Sequence, residues 1–143
     1  MDIQVISLEI SHARDVQRLS EQLGYPLSLE EVEANIREVG LAANNCSFVA
    51  IADGQAVGWI HVFKAVLIES TPFIEIGGLV VDKKYRGKGV GRRLVERIKQ
   101  WSKDKGVGEI RVRSNIKRTD AHQFYATLGF GEVKQQKVFQ LDI

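Results

Sequence analysis

Three observations predict a mixed α/β fold built on one sheet. Apolar residues switch between two-residue and helical spacing along the chain, in the order β-α-α-β-β-β-α-β-α-β. Glycines or capping residues mark the ends of most of these segments. No internal repeat, linker or low-complexity tract interrupts the 143 residues, so a single domain over residues 1–143 is expected.

The elements follow in order. Residues 3–8 alternate as a first strand. Val16, Leu19 and Leu23 mark one face of a helix that ends near Gly24. Ser28 to Glu31, "SLEE", is a capping box, and Leu29, Val32, Ile36 and Val39 continue at helical spacing before Gly40. "SFVAIADGQAVGWIHVF" reads as two strands around an Asp53-Gly54 hairpin turn. Residues 73–81, "FIEIGGLVV", form a strand whose Gly77-Gly78 pair predicts a bulge or a close backbone approach. Val90, Leu94, Ile98 and Trp101 share a helical stripe that runs to about Lys105, with Gly106 closing it. Residues 109–114 are a strand. Thr119 or Asp120 caps a short helix carrying Ala121, Phe124, Tyr125 and Leu128, closed by Gly129. One or two strands are expected from Phe130 to Ile143, for six to seven strands and about four helices in all.

Composition narrows the function classes. No run of apolar residues is long enough to span a membrane, and "MDIQVISLEI" has no signal-peptide pattern. The lone Cys46 cannot form an internal disulfide. A cytoplasmic protein is the expectation. His12, His61 and His122 are too dispersed to suggest a metal site.

Charge is segregated along the chain. Residues 1–82 carry four Lys/Arg and twelve Asp/Glu, a net −8, whereas residues 83–118 carry fourteen and three, a net +11. Such a segment suits a polyanionic ligand, the alternative being a solvated basic helix face. Its core is "DKKYRGKGVGRRL", residues 82–94, a glycine-rich turn between a strand and a helix. Backbone N–H groups and the positive end of the helix dipole favour an anion there, and glycines let a phosphate approach. The turn is neither a Walker A loop nor a dinucleotide fingerprint: Gly89 follows Lys88 where Ser or Thr belongs, and Arg92 stands where a third glycine belongs.

Arg86-Gly87-Lys88-Gly89-Val90-Gly91 resembles the Q/R-x-x-G-x-G/A motif of the GNAT superfamily, the acyl-CoA-dependent N-acyltransferases. The preceding strand "EIGGLVVD", Asn115 and "AHQFYATLGF" at 121–130 fall where that superfamily has matching elements, and the resemblance covers roughly residues 46–130. It implies a mixed, mostly antiparallel central sheet in which the strand at 74–81 splays from the strand at 109–114 to leave a cofactor cleft. It further implies acetyl-CoA as donor, its pyrophosphate held by the N–H groups of residues 87–92 and its pantetheine arm pairing with backbone at Leu79 and Val81. A backbone N–H near Leu79 and Val80 would polarise the thioester. Lys84, Arg86, Lys88, Arg92 and Arg93 are candidates for the remaining phosphate.

The same resemblance assigns chemistry. Tyr125 matches the tyrosine that protonates the leaving thiolate, and a phenol with a pKa of about 10 keeps its proton at pH 7; the alternative is a core residue beside Phe124. Asn115 would contact the cofactor arm or a water, or serve as a turn residue. Glu75, four residues before Leu79, has the spacing of the general base in histone-type members, although many relatives use a water chain. His122 and His61 could relay protons or be structural. Cys46 reads as an inert thiol.

The acceptor is expected to be an amine of a small molecule or peptide. Glu30, Glu31, Glu33 and Glu38 would suit a cationic one such as an aminoglycoside, polyamine or lysine side chain, or simply keep a helix solvated. "SNIKRTDAHQFYATLGF" with "KQQKVF" resembles a bacterial, aminoglycoside-acetyltransferase-like group. The apolar segment "KAVLIESTPF" could line a pocket or form a homodimer contact. Two rival classes are an acyl-CoA sensor of the same fold without turnover, and a nucleic-acid binder. Only Tyr85 and Trp101 interleave with the basic residues, which argues against the second.

Overall fold

The computed structural model describes residues 1–143, which divide into two compact units, Met1–Arg113 and Ser114–Ile143. In the first, β1 (Ile3–Ser7) leads through a 3-10 turn into helices α1 (Ala13–Glu21) and α2 (Leu29–Leu41). Strands β2 (Asn45–Ala52), β3 (Gln55–Ala65) and β4 (Phe73–Val81) follow, then α3 (Val90–Asp104) and β5 (Ile110–Val112). The strands lie in sequence order, antiparallel from β1 to β4, with β5 parallel to β4.

Local chemistry accounts for most boundaries. Ser28 Oγ accepts from the Glu31 N–H while Glu31 Oε1 accepts from the Ser28 N–H, which completes the predicted capping box of α2. Asp53 and Gly54 both have positive φ, at +52° and +76°, the geometry that matches strand twist in a two-residue hairpin. Gly106, at φ +71°, closes α3 where predicted.

Helices cover both faces of the sheet. On one, Ala13 and Val16 of α1 pack with Val32 of α2, and Leu8, Leu29, Ile36 and Trp59 close around them. On the other, Val90, Leu94, Val95 and Ile98 of α3 are buried. Gly58 of β3 permits that close seat: a Cβ there would lie 2.9 Å from the Val80 carbonyl oxygen and 3.0 Å from Val90 Cγ1.

The second unit holds α4 (Thr119–Thr127), closed by Gly129 at φ +97°. Its N-cap is Arg118, without a side-chain cap bond, rather than Thr119 or Asp120. Residues 129–143 form neither helix nor strand, so the sheet has five strands instead of six or seven. Val133, Val138, Phe139, Leu141 and Ile143 are exposed there. β propensity alone does not make a strand; the ladder needs a partner, and this segment has none. The strand expected at 109–114 shortens to Ile110–Val112 for the same reason, since its pairing with β4 stops there.

Gly58→Ala is expected to overpack the α3 interface and destabilise the protein by about 1–3 kcal/mol. Urea unfolding should show a lower midpoint with an unchanged m-value.

Candidate active site

Strand β4 and the turn after it build the site. The parallel pairing of β4 with β5 ends at Ile76↔Val112, whereas β4 runs on to Val81 paired with β3 alone. Leu79, Val80 and Val81 therefore lie on a strand half with one open edge, beyond a fork at Gly77-Gly78. The predicted bulge is present. His61 pairs with Gly78 and Val62 with Ile76, which leaves Gly77 as the extra residue. The close approach is present too: a Cβ on Gly78 would lie 2.7 Å from the Trp59 ring, and one on Gly77 would lie 3.0 Å from His61 Nδ1. A side chain at Gly78 would force the Trp59 ring to shift, and one at Gly77 would crowd His61.

After β4 the chain makes a 3-10 turn, Lys83–Tyr85, passes through extended Arg86, and reaches α3 by way of Gly87 and Gly89. Those glycines have φ of +75° and +88°, and the space beside them is open, so conformation and not crowding demands glycine. Gly89 caps α3 without a side-chain bond, and the first helical bond runs from the Arg93 N–H to the Gly89 carbonyl. The N–H groups at Val90, Gly91 and Arg92 thus stand at an uncapped N-terminus of a 15-residue helix.

Lys83, Lys84, Arg86 and Lys88 of the turn and Arg92 and Arg93 in the first turn of α3 are exposed. Arg86 Nε lies 3.5 Å from the Val81 carbonyl, and Lys88 Nζ lies 5.5 Å from the centre of the Tyr85 ring. Arg93 is engaged elsewhere. Its Nη2 donates to the Ile3 carbonyl at 2.8 Å, which ties α3 to β1 and sets it apart from the other phosphate candidates.

A buried carboxylate holds the turn in place. Asp82, 4% exposed, receives Arg18 Nη1 at 2.9 Å, Gln22 Nε2 at 3.4 Å and the Lys84 N–H at 3.0 Å. Arg18 Nη2 also donates to the Ala56 carbonyl, and Gln22 Oε1 accepts from the Lys83 N–H. Tyr85 fastens the turn to the β2–β3 hairpin by donating to Asp53 Oδ2 at 3.0 Å. Nothing in the spacing of residues 18, 22 and 82 signals this clamp.

At the fork, Glu75 of β4 pairs with Arg113 at 3.1 Å; its side chain is 16% exposed. Cys46 is inert: burial pushes its thiol up to about 12 against the opposing charges of Arg97 and Lys105. In the second unit, Tyr125 is half-buried, with Phe124 and Phe130 edge-on at 5.4 and 5.6 Å. Burial raises its pKa against the opposing charge of Arg118, so the phenol keeps its proton at neutral pH. Asn115 Oδ1 accepts from the Lys117 N–H, and its carbonyl accepts from His122 Nε2 at 2.9 Å, which gives His122 an orienting role within that unit. No three His, Cys, Asp or Glu side chains converge as a metal site, and no helix is long and apolar enough to cross a membrane.

Residues 13–130 match the acetyltransferase (GNAT) family. The chain belongs to that family. It is an acetyl-CoA-dependent N-acetyltransferase. Among similar proteins is an aminoglycoside N(6')-acetyltransferase type 1 of Salmonella enteritidis, 26% identical over 141 residues and covering 94% of each chain. Another of that name, from Stenotrophomonas maltophilia, is 28% identical over 120 residues, 80% of this acetyltransferase and 76% of the relative. The solved structure of AAC(6')-Iy in complex with the bisubstrate analogue CoA-S-monomethyl-acetylneamine has the same fold. It superposes with a TM-score of 0.88 at 22% identity, over the whole of both chains.

The turn carries a pH prediction. Burial alone would raise the Asp82 carboxyl, but the Lys84 N–H, Arg18 and Gln22 outweigh it and hold its pKa below the ordinary 3.8. The stabilisation is therefore complete above 3.8 and lost as pH falls through the lower, folded-state value. Asp82→Asn should cost about 1–3 kcal/mol at pH 7 and flatten this acid dependence, read by urea unfolding at a series of pH values.

Proposed function

We propose that this acetyltransferase is a cytoplasmic enzyme that moves the acetyl group from acetyl-CoA to a primary amine of a cationic small molecule, by direct attack with both substrates bound. The observation that carries the reading is the juxtaposition of two unsatisfied backbone surfaces: the open edge of β4 beyond Ile76 and the uncapped N-terminus of α3. The first offers strand-like hydrogen bonds to an extended amide-bearing arm, through Leu79 and Val81. The second offers N–H groups from Gly87 to Arg92 and a positive dipole to a pyrophosphate. Lys84, Arg86, Lys88 and Arg92 supply the added charge. This donor set fits coenzyme A.

In this reading the acceptor nitrogen, once neutral, attacks the thioester carbonyl beside the backbone N–H near Val80. The new C–N bond forms, the C–S bond breaks, the leaving sulfur takes the Tyr125 proton, and the proton shed by the acylated nitrogen restores the phenol through water. Asn115 contacts the cofactor arm. Glu75 supplies negative charge that draws an ammonium to the fork and is a candidate general base, directly or through water, though Arg113 already holds one of its oxygens.

Aminoglycosides are the first acceptor class to test. The reading is supported by the names of the relatives and by the net −8 of residues 1–82, which would favour a polycation. The apolar Val66, Leu67 and Ile68 segment, exposed between β3 and β4, is the candidate homodimer contact.

Calorimetric titration with acetyl-CoA tests the site. Gly89→Glu places a carboxylate and a strained positive φ at the anion position, and binding should weaken at least about 100-fold. Equal binding by both proteins would remove the turn from the cofactor site. With an aminoglycoside acceptor, Tyr125→Phe should lower kcat about 100-fold with little change in KM. A wild type that binds acetyl-CoA but acetylates no aminoglycoside would exclude that acceptor class.

A further inference from the structure

His61 stands at the fork of β4 and β5 in a defined protonation state. Its Nε2 lies 2.9 Å from Asn45 Oδ1, and the Asn45 amide nitrogen donates to the Ala43 carbonyl at 3.2 Å. With the asparagine nitrogen facing a carbonyl, its oxygen must face the imidazole. The hydrogen-bond pattern therefore assigns the hydrogen to Nε2 and leaves a lone pair on Nδ1.

That nitrogen lies beside Gly77. Nδ1 is the atom that a Cβ on Gly77 would meet at 3.0 Å, and Gly77, the bulged residue, is exposed to solvent. A side chain at position 77 would cover the nitrogen; glycine uncovers it. His61 is half-buried, and burial, with no charged neighbour contributing, lowers its pKa below the ordinary 6.5. It is neutral at pH 7. Asn45 and Ser47, its neighbours on β2, carry no charge, and the Phe63 ring lies 6.0 Å away. The charged groups on β4 and β5 are Glu75 and Arg111; Glu75 pairs with Arg113, and Arg111 with Glu109.

We propose that His61 Nδ1 is the base that deprotonates the acceptor ammonium. This rests on the amine-acetylating reading above and extends it by choosing His61 over Glu75, whose oxygen is taken by Arg113. The step balances: an N–H bond of the ammonium breaks, an Nδ1–H bond forms, and His61 becomes an imidazolium while the amine keeps the electron pair for attack. The proton then leaves to solvent at Gly77. Asn45 is a positioning residue, which holds Nε2–H so that Nδ1 is the basic atom.

The test is the pH dependence of kcat/KM for acetylation of neamine and of spermidine. The wild type should show an acidic limb with an apparent pKa below 6.5. In His61→Gln, kcat should fall about 10²- to 10⁴-fold at pH 7, and the acidic limb should move up to alkaline pH, where the amine deprotonates unaided. Acetyl-CoA binding measured by calorimetry should stay within about twofold, since no cofactor contact is touched. A His61→Gln profile parallel to the wild type would overturn the assignment while leaving the acetyl-transfer reading intact. A wild type that turns over neither amine would overturn that reading for these acceptors, and the assignment with it. Long-range 15N–1H NMR of the wild type supplies a measurement independent of any variant's folding. It should show the Nε2-protonated tautomer, and an Nδ1-protonated ring would overturn the proposal.

Discussion

The ion pair between Arg18 and Asp82 is the interaction on which the anion-binding turn depends. A turn with two positive-φ glycines and four exposed cations has every reason to stay disordered: glycine gives it conformational freedom, and like charges repel. Asp82 opposes both tendencies. Its carboxylate is buried yet fully engaged, by a guanidinium, a side-chain amide and a backbone N–H, which is the condition under which a buried charge is tolerated. Arg18 and Gln22 sit one helical turn apart on α1, so the end of that helix grips the chain where β4 stops. Through Ala56 the same arginine holds the start of β3. The direction in which α3 aims its N-terminus follows from this clamp and from the seat at Gly58.

The second constraint is the mismatch in length between β4 and its neighbour. Three residues of β5 satisfy one edge of β4 as far as Ile76; of the remaining five, four pair with β3 alone and the bulged Gly77 pairs with neither strand. An unpaired strand edge is ordinarily a hazard for aggregation. Here it lies next to a helix N-terminus, and the two surfaces together make an extended site for a ligand with an amide-bearing arm and a phosphate group. The bulge at Gly77 marks the change from one regime to the other. It also brings two successive residues against the His61 and Trp59 rings, where a Cβ would be crowded. One backbone irregularity thus defines the fork, uncovers His61 Nδ1 and seats Trp59.

Much of this was legible locally. The capping box at Ser28, the Asp53-Gly54 turn and the helix stop at Gly106 all lie within a few residues of the bonds they make, so residue type and spacing suffice to find them. The bulge at Gly77-Gly78 was legible for a related reason, because paired glycines inside an apolar strand need a backbone explanation. The final strands from Phe130 onward failed on the same logic. Alternating apolar residues express a propensity, but a strand exists only as half of a pair.

By itself the sequence determined the order of elements, the glycine turn before a basic helix, the segregation of charge and, through its motifs, the family. These are properties of neighbours along the chain. Tertiary structure decided which cations remain available, since Arg93 was equivalent to Arg92 until the fold brought the Ile3 carbonyl within its reach. It decided that Glu75 meets Arg113, that Asp82 meets Arg18 across 64 residues, and that the His61 tautomer is set by Asn45. Each of these is a bond between groups far apart in sequence. Their chemistry is written in residue types, but their pairing is fixed only when the sheet and helices bring them within 3 Å or so of one another.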